Sequence, residues 1–174
     1  QDLLWGPVLR GYPDLKVAWS EAGIGWIPFY LDRCDRHYKN QVWIKQDFGD
    51  KLPSEVFREH SLACFVTDAT ALKVRHDIGM DIIAWECDYP HSDAIFPGAP
   101  EQIFTEMDAA GCTEAEMHQI TWQNTARFFN LDPFSTIPRE KANVGALRAL
   151  SPNVDTSTTS KSEYRMRYDA NQTP

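Results

Sequence analysis

The chain is short of positive charge: 17 Lys and Arg stand against 25 Asp and Glu, giving a net charge of -8 and a pI of about 5.0. Nucleic acid and anionic membrane both require a basic face, so neither is expected as a partner. No apolar run approaches the roughly 20 residues of a membrane span, and no charged-then-apolar secretory leader is present. The cysteines, Cys34, Cys64, Cys87 and Cys112, are far apart and form no CxxC pair. Cys64 and Cys87 fall in or beside apolar runs, where a thiol behaves as a small hydrophobe. The expectation is reduced thiols and a cytoplasmic protein. Also missing are a phosphate-cradling glycine loop, a Gly-x-Ser-x-Gly elbow, and the His-x-His or His-Glu-x-x-His spacings that make a metal site unaided. What remains, 174 residues at 43% hydrophobic, suffices for one modest core.

Three short apolar runs read as buried strands: Leu15 to Trp19, Leu62 to Val66, and Asp81 to Glu86. Helical patterns separate them. One runs from Trp26 to about Gln46, with Pro28 in its first turn and Ile27, Tyr30, Leu31, Cys34 and Tyr38 at helical spacing. Another covers Pro53 to His60, and a third Thr70 to Gly79. Strand–helix alternation with strands buried on both faces is the pattern of right-handed parallel crossovers. Two further helices are expected over Pro100–Ala110 and Thr113–Phe129. The second opens with the capping box Thr113-Glu114-Ala115-Glu116. The chain enters the pattern mid-helix at Leu3 and Leu4. Beyond Leu150 it turns to Ser, Thr, Asn and charge, so 151–174 is expected to be a polar surface tail, extended or partly disordered. Residues 1–150 form the folded part.

The chemistry-bearing residues sit where strands end. Asp88 follows the third run, two residues before Pro90 and three before His91; Glu21 follows the first, ahead of Gly23 and Gly25; Asp68 follows the second. In barrels of alternating strands and helices, the C-terminal strand ends carry the chemistry. Asp68 reads first as an N-cap for the helix after it. Glu21 reads equally as a site residue or as a carboxylate bonding the glycine bend. His91 can face the mouth or bond within its own loop. His37, His60, His76 and His118 read as packed or solvated, with His60 at the opposite end of its strand. Trp19, Trp26, Trp85 and Tyr89 fit rim and core packing, or the wall of an aromatic-substrate pocket.

Asp88-Tyr89-Pro90-His91-Ser92-Asp93, with Ser20-Glu21-Ala22-Gly23-Ile24-Gly25-Trp26-Ile27-Pro28 upstream, resembles the amidohydrolase-related family of metal-dependent hydrolases and decarboxylases. That is the branch including aminocarboxymuconate-semialdehyde decarboxylase. The similarity runs from about Leu3 to about Leu147. It implies an α/β fold, the C-terminal portion of a TIM-type (β/α)8 barrel, with the earlier metal-binding histidines lying before Gln1. It implies a divalent metal, zinc by expectation, with Asp88 as ligand and base, and Glu21 and His91 in support. The substrate would be a small carboxylate-bearing or cyclic molecule. The decarboxylase members carry a His where this chain has Glu21. A carboxylate ligates or accepts protons but donates none at neutral pH unless its pKa is raised, so hydrolysis and decarboxylation both stay open.

A different class of reading is a non-catalytic, oligomerising partial barrel. Three strands are too few to close a barrel, which takes eight strands and roughly 250 residues. The first and third strands therefore present edges that invite pairing, and each buried group left unsatisfied costs about 1–3 kcal/mol. The chain should accordingly form a homo-oligomer, unless the N-terminal part of the barrel completes it. Light scattering should give a mass above the monomer; a well-folded monomer at high concentration would show that the chain covers its own edges.

Overall fold

The computed structural model describes all residues except 42, 156, 158, 173 and 174. Short helices α1 (Asp2–Trp5) and α2 (Val8–Gly11) lead into β1 (Val17–Trp19). Then follow α3 (Ile27–Asn40), α4 (Pro53–His60), β2 (Ser61–Phe65), α5 (Ala69–Lys73), α6 (Arg75–Ile78), a 3-10 turn over Met80–Ile82, and β3 (Ile83–Trp85). Beyond the third strand lie α7 (Ala99–Ala109), α8 (Glu114–His118), a π-helical turn over Gln119–Gln123, α9 (Asn124–Phe128), a 3-10 turn over Arg139–Lys141, α10 (Val144–Ala149) and α11 (Lys161–Gln172). The sheet order is β1-β2-β3 and both pairings are parallel, Ala18 opposite Leu62 and Cys64 opposite Ala84. This is the expected α/β arrangement, a three-strand portion of a TIM-type barrel.

The register sorts side chains onto two faces. Trp19, Ala63, Phe65, Ile83 and Trp85 point one way, into a core filled by Ile27, Leu31 and Cys34 of α3, Val56 and Phe57 of α4, Ile78, and Ile103 and Met107 of α7. Leu62, Cys64 and Ala84 point the other way, where a barrel keeps its lumen, and Phe128 packs against them. Helices α3, α4 and α7 therefore serve one face, as outer helices of a barrel do. No helix among the described residues is long and apolar enough to cross a membrane.

Several boundaries differ from the sequence reading: β1 begins at Val17, not Leu15, and β3 is confined to Ile83–Trp85 because Met80–Ile82 form a 3-10 turn. Helix α3 stops at Asn40 instead of near Gln46, because the chain must reverse there to bury Phe48 against Tyr38 and Trp5; the β-branched and aromatic run after Gln41 resists helix in any case. Val42, in the predicted helix, lies outside the described residues. The Thr70–Gly79 segment breaks at Val74 into two helices. The tail, expected to be extended, holds α11, whose start carries a capping box: Ser160 N–H donates to Glu163, and Glu163 N–H donates to the Ser160 hydroxyl. The Ser-x-x-Glu spacing was visible in the sequence. The tail's Thr156, Thr158, Thr173 and Pro174 lie outside the described residues.

The free edge of β3 is not bare. Fully buried Asn124 donates its amide to Met80 O at 2.6 Å and Ile83 O at 2.7 Å, and Arg127 donates to Asp81 O at 2.6 Å. Glu86 N–H donates to Phe65 O on β2, so by strand alternation the Ile83 carbonyl faces away from β2, and Asn124 answers it. The π turn directly precedes Asn124. The start of the β3 edge is thus capped, and no such cap meets β1 among the described residues.

Away from the sheet, Arg75 ties α6 to the α7–α8 connection. It meets Glu116 through Nε at 3.1 Å and Nη2 at 3.2 Å, and donates to the carbonyls of Leu72, Ala110 and Gly111. The guanidinium, together with the Thr113 backbone N–H, holds the Glu116 carboxyl at about 2, below its ordinary 4.5. A depressed carboxyl stabilises the fold above its unfolded pKa and loses that contribution as pH falls through the folded one. Stability should therefore drop between about pH 5 and pH 2, and Glu116→Gln should remove this component of the drop. At pH 7 the variant, which keeps the carbonyl partners of Arg75 but loses its charged one, should be less stable by about 1–3 kcal/mol in urea unfolding.

Candidate active site

At the C-terminal ends of the strands the chain folds into two left-handed residues that are not glycine, Glu21 (φ 61) and Asp88 (φ 55). Such backbone costs about 1–3 kcal/mol per residue and persists only where the surroundings enforce it. At Asp88 the turn is closed by His91 N–H donating to Asp88 O at 2.9 Å. The same turn returns the His91 ring to the carboxylate it follows, Nδ1 to Asp88 Oδ1 at 2.7 Å. Glu21 Oε1 lies 4.0 Å from the same ring nitrogen. One donor atom from each of Glu21, Asp88 and His91 falls within 4.8 Å of the others.

The three differ in exposure. The Asp88 side chain is 7% exposed, Glu21 57% and His91 69%, so Asp88 forms the floor and the other two the rim. The hydrogen bond to Asp88, then the Asp88 charge and the more distant Glu21 charge, raise the His91 pKa above its ordinary 6.5. Two carboxylates and an imidazole are the hard and borderline donors that suit zinc or a similar divalent ion. Their spacing and chemistry suit a divalent ion.

The structure thus brings together all three residues singled out from sequence. Asp68 does something else. Its carboxylate accepts from Ala71 N–H at 2.9 Å, capping α5, and also from Ile24 N–H at 2.9 Å and Gly25 N–H at 2.8 Å. It therefore serves as a helix cap and as an anchor for the loop after β1. Gly25 permits the approach, since a Cβ there would stand 3.2 Å from Asp68 Oδ1. Glu86 was missed as more than the end of a strand. It accepts a hydrogen bond from the Ser20 hydroxyl and another, at 2.5 Å, from Glu21 N–H. Its only sequence signal is a carboxylate two positions ahead of Asp88.

The remaining histidines are packed or solvated: His60 is buried with Nδ1 against Leu15 O at 2.6 Å, and exposed His76 meets Glu116. Among the aromatics, Trp19 stacks on Phe57 in the core and Trp85 Nε1 donates to Val66 O. Trp85 also lines a cavity of about 560 Å³ walled by Phe104, Trp122, Phe134 and Leu147, which does not include Glu21, Asp88 or His91.

With this geometry in view, comparisons with known proteins are informative. An amidohydrolase family model, Amidohydro_2, matches residues 1–131. Among solved structures, 5-carboxyvanillate decarboxylase from Sphingomonas paucimobilis superposes with a TM-score of 0.59 at 23% identity, over 75% of this chain and 38% of that one. An amidohydrolase from Mycobacterium avium subsp. paratuberculosis gives 0.58 at 20% identity, over 72% of this chain and 31% of that one. The chain therefore spans about a third of the length of these neighbours, and the likeness carries the fold. No curated protein sequence matches.

Asp68→Ala should cost about 2–3 kcal/mol in urea unfolding, since a cap and two loop anchors are lost together. Asp68→Asn, which keeps one acceptor oxygen, should lose about half as much.

Proposed function

The chain belongs to the amidohydrolase family, and on that footing we propose that it is the C-terminal portion of a metal-dependent hydrolase or decarboxylase-like lyase. The small-molecule substrate would be carboxylate-bearing or cyclic. The observation that carries this reading is the convergence of Glu21, Asp88 and His91 at the strand ends where barrel enzymes keep their chemistry. Asp88, the least exposed of the three, is the principal ligand, with Glu21 and His91 beside it. Asp88, Glu21 and His91 would hold a divalent ion, zinc by preference, which would supply Lewis acidity.

The chain's own groups then divide the proton work. The Asp88 carboxylate accepts a proton at an oxygen already oriented by His91 Nδ1. His91, on the rim, passes that proton outward or presents it to substrate. Glu21, more than half exposed, adds negative charge that favours a cation and accepts hydrogen bonds from substrate. Reduced thiols fit a cytoplasmic setting: burial pushes the Cys64 thiol up to about 11, out of the reactive range.

A catalytic zinc usually takes three protein ligands plus firm support for each, and here two of the three are exposed. Calorimetric titration of the 174-residue chain with zinc should give one-to-one binding with a Kd above about 1 µM, abolished in Asp88→Ala. Absence of any Asp88-dependent binding would overturn the metal reading. Tight binding would mean that no further ligands are needed.

A further inference from the structure

We propose that Glu86 is a positioning residue for the metal site: it holds the loop after β1 so that Glu21 faces Asp88. The inference rests on the reading of Glu21, Asp88 and His91 as a divalent-ion site, and names the group that assembles it.

Glu86 is the residue directly after β3, and its own backbone N–H is fixed by Phe65 O of β2 at 3.0 Å. Its side chain reaches past β2 to the loop after β1. One carboxylate oxygen accepts from the Ser20 hydroxyl, the other from Glu21 N–H at 2.5 Å. Strands β1 and β3 are not neighbours in the sheet, so this side chain links two strand ends that the backbone ladder leaves separate. Those ends carry the two carboxylates of the site.

Glu21 needs such a hold. Its left-handed φ of 61 is unfavourable for a residue with a Cβ, and its side chain is more than half exposed, with the His91 ring 4.0 Å away. Burial therefore does little to fix it. A charged acceptor on its backbone N–H is a strong restraint, and it acts on the residue that has the strained φ. Ser20 Oγ on the other oxygen fixes the orientation of the Glu86 carboxylate itself. Removal of a group that orients a metal ligand commonly weakens metal binding by about 10–100-fold.

Two variants and two readouts test this in the 174-residue chain: amide hydrogen exchange at Glu21, which needs no metal, and zinc affinity by calorimetry. Glu86→Ala should lose exchange protection at the Glu21 amide and bind zinc about 10-fold more weakly or worse. Glu86→Gln keeps a carbonyl oxygen for Glu21 N–H and an amide for the Ser20 hydroxyl, so it should retain most of both. A Glu86→Ala protein that is merely less heat-stable, with zinc affinity intact, would overturn the proposal. So would a Glu86→Gln protein that keeps exchange protection at Glu21 yet binds zinc as weakly as Glu86→Ala, since the charge near the ion and not the hold on Glu21 would then matter. If wild type shows no Asp88-dependent zinc binding, the metal reading fails on its own. The exchange data then still decide: lost protection in Glu86→Ala upholds the hold on Glu21, and unchanged protection overturns it.

Discussion

The loop from Ser20 to Gly25 is gripped from two sides by carboxylates, and the site exists only in so far as that grip holds. Asp68, at the end of β2, takes the N–H groups of Ile24 and Gly25; Glu86, at the end of β3, takes Ser20 and Glu21. Parallel strands bring their C-terminal ends to one rim, but the ladder fixes nothing beyond the last paired residue. Past Trp19 the chain makes no further strand pairing. Carboxylates reaching across from the ends of the other two strands do the work that hydrogen-bonded strand pairing does within the sheet.

The acidic balance of the chain takes on a local meaning here. Glu21, Asp68, Glu86 and Asp88 gather at one end of a three-strand sheet, where like charges repel. The carboxylates of Asp68 and Glu86 are satisfied by backbone and hydroxyl donors, the pairing under which a carboxylate tolerates a partly buried place. Asp88 has His91, whose raised pKa records the attraction. Glu21 has the rim and solvent. The four carboxylates thus divide into two that spend their lone pairs on the fold and two that keep them for a ligand. No feature of composition marks that division.

This explains how much was legible in the sequence. The strands were, because buried parallel strands are near-continuous apolar runs and their order admits few topologies. Asp88 and His91 were, because four consecutive residues of a tight loop carry both groups and the motif is specific. Asp68 was legible as a cap from its place before Ala69, but its hold on Ile24 and Gly25 spans more than 40 positions, and no local pattern encodes it. Glu86 read as the last residue of a strand, and its role depends on where a loop 65 positions earlier comes to rest. Asn124 escaped for a similar reason. On a helical wheel it belongs to the apolar stripe, and only the sheet shows that its amide closes the edge of β3.

That closure bears on how the rest of the molecule is read. In a complete barrel, the strand at β3's free side would be the first of the eight, and that place is where Asn124 and Arg127 bond the chain before and within β3. These contacts involve Met80, Asp81 and Ile83, at the start of the strand, whereas Glu86 and Asp88 lie at its end. A side-chain cap at the bottom of an edge leaves the top free, so α9 and an added strand compete only over the first residues of β3. The edge of β1 has no equivalent cap among the described residues, and its Ala18 is exposed on the lumen face. Completion of the sheet by another segment or another copy is therefore expected first at β1, next to the loop that presents Glu21. A partner strand placed there would lie beside the rim of the site, and would shield Glu21 from water at the same time as it paired the open edge of β1.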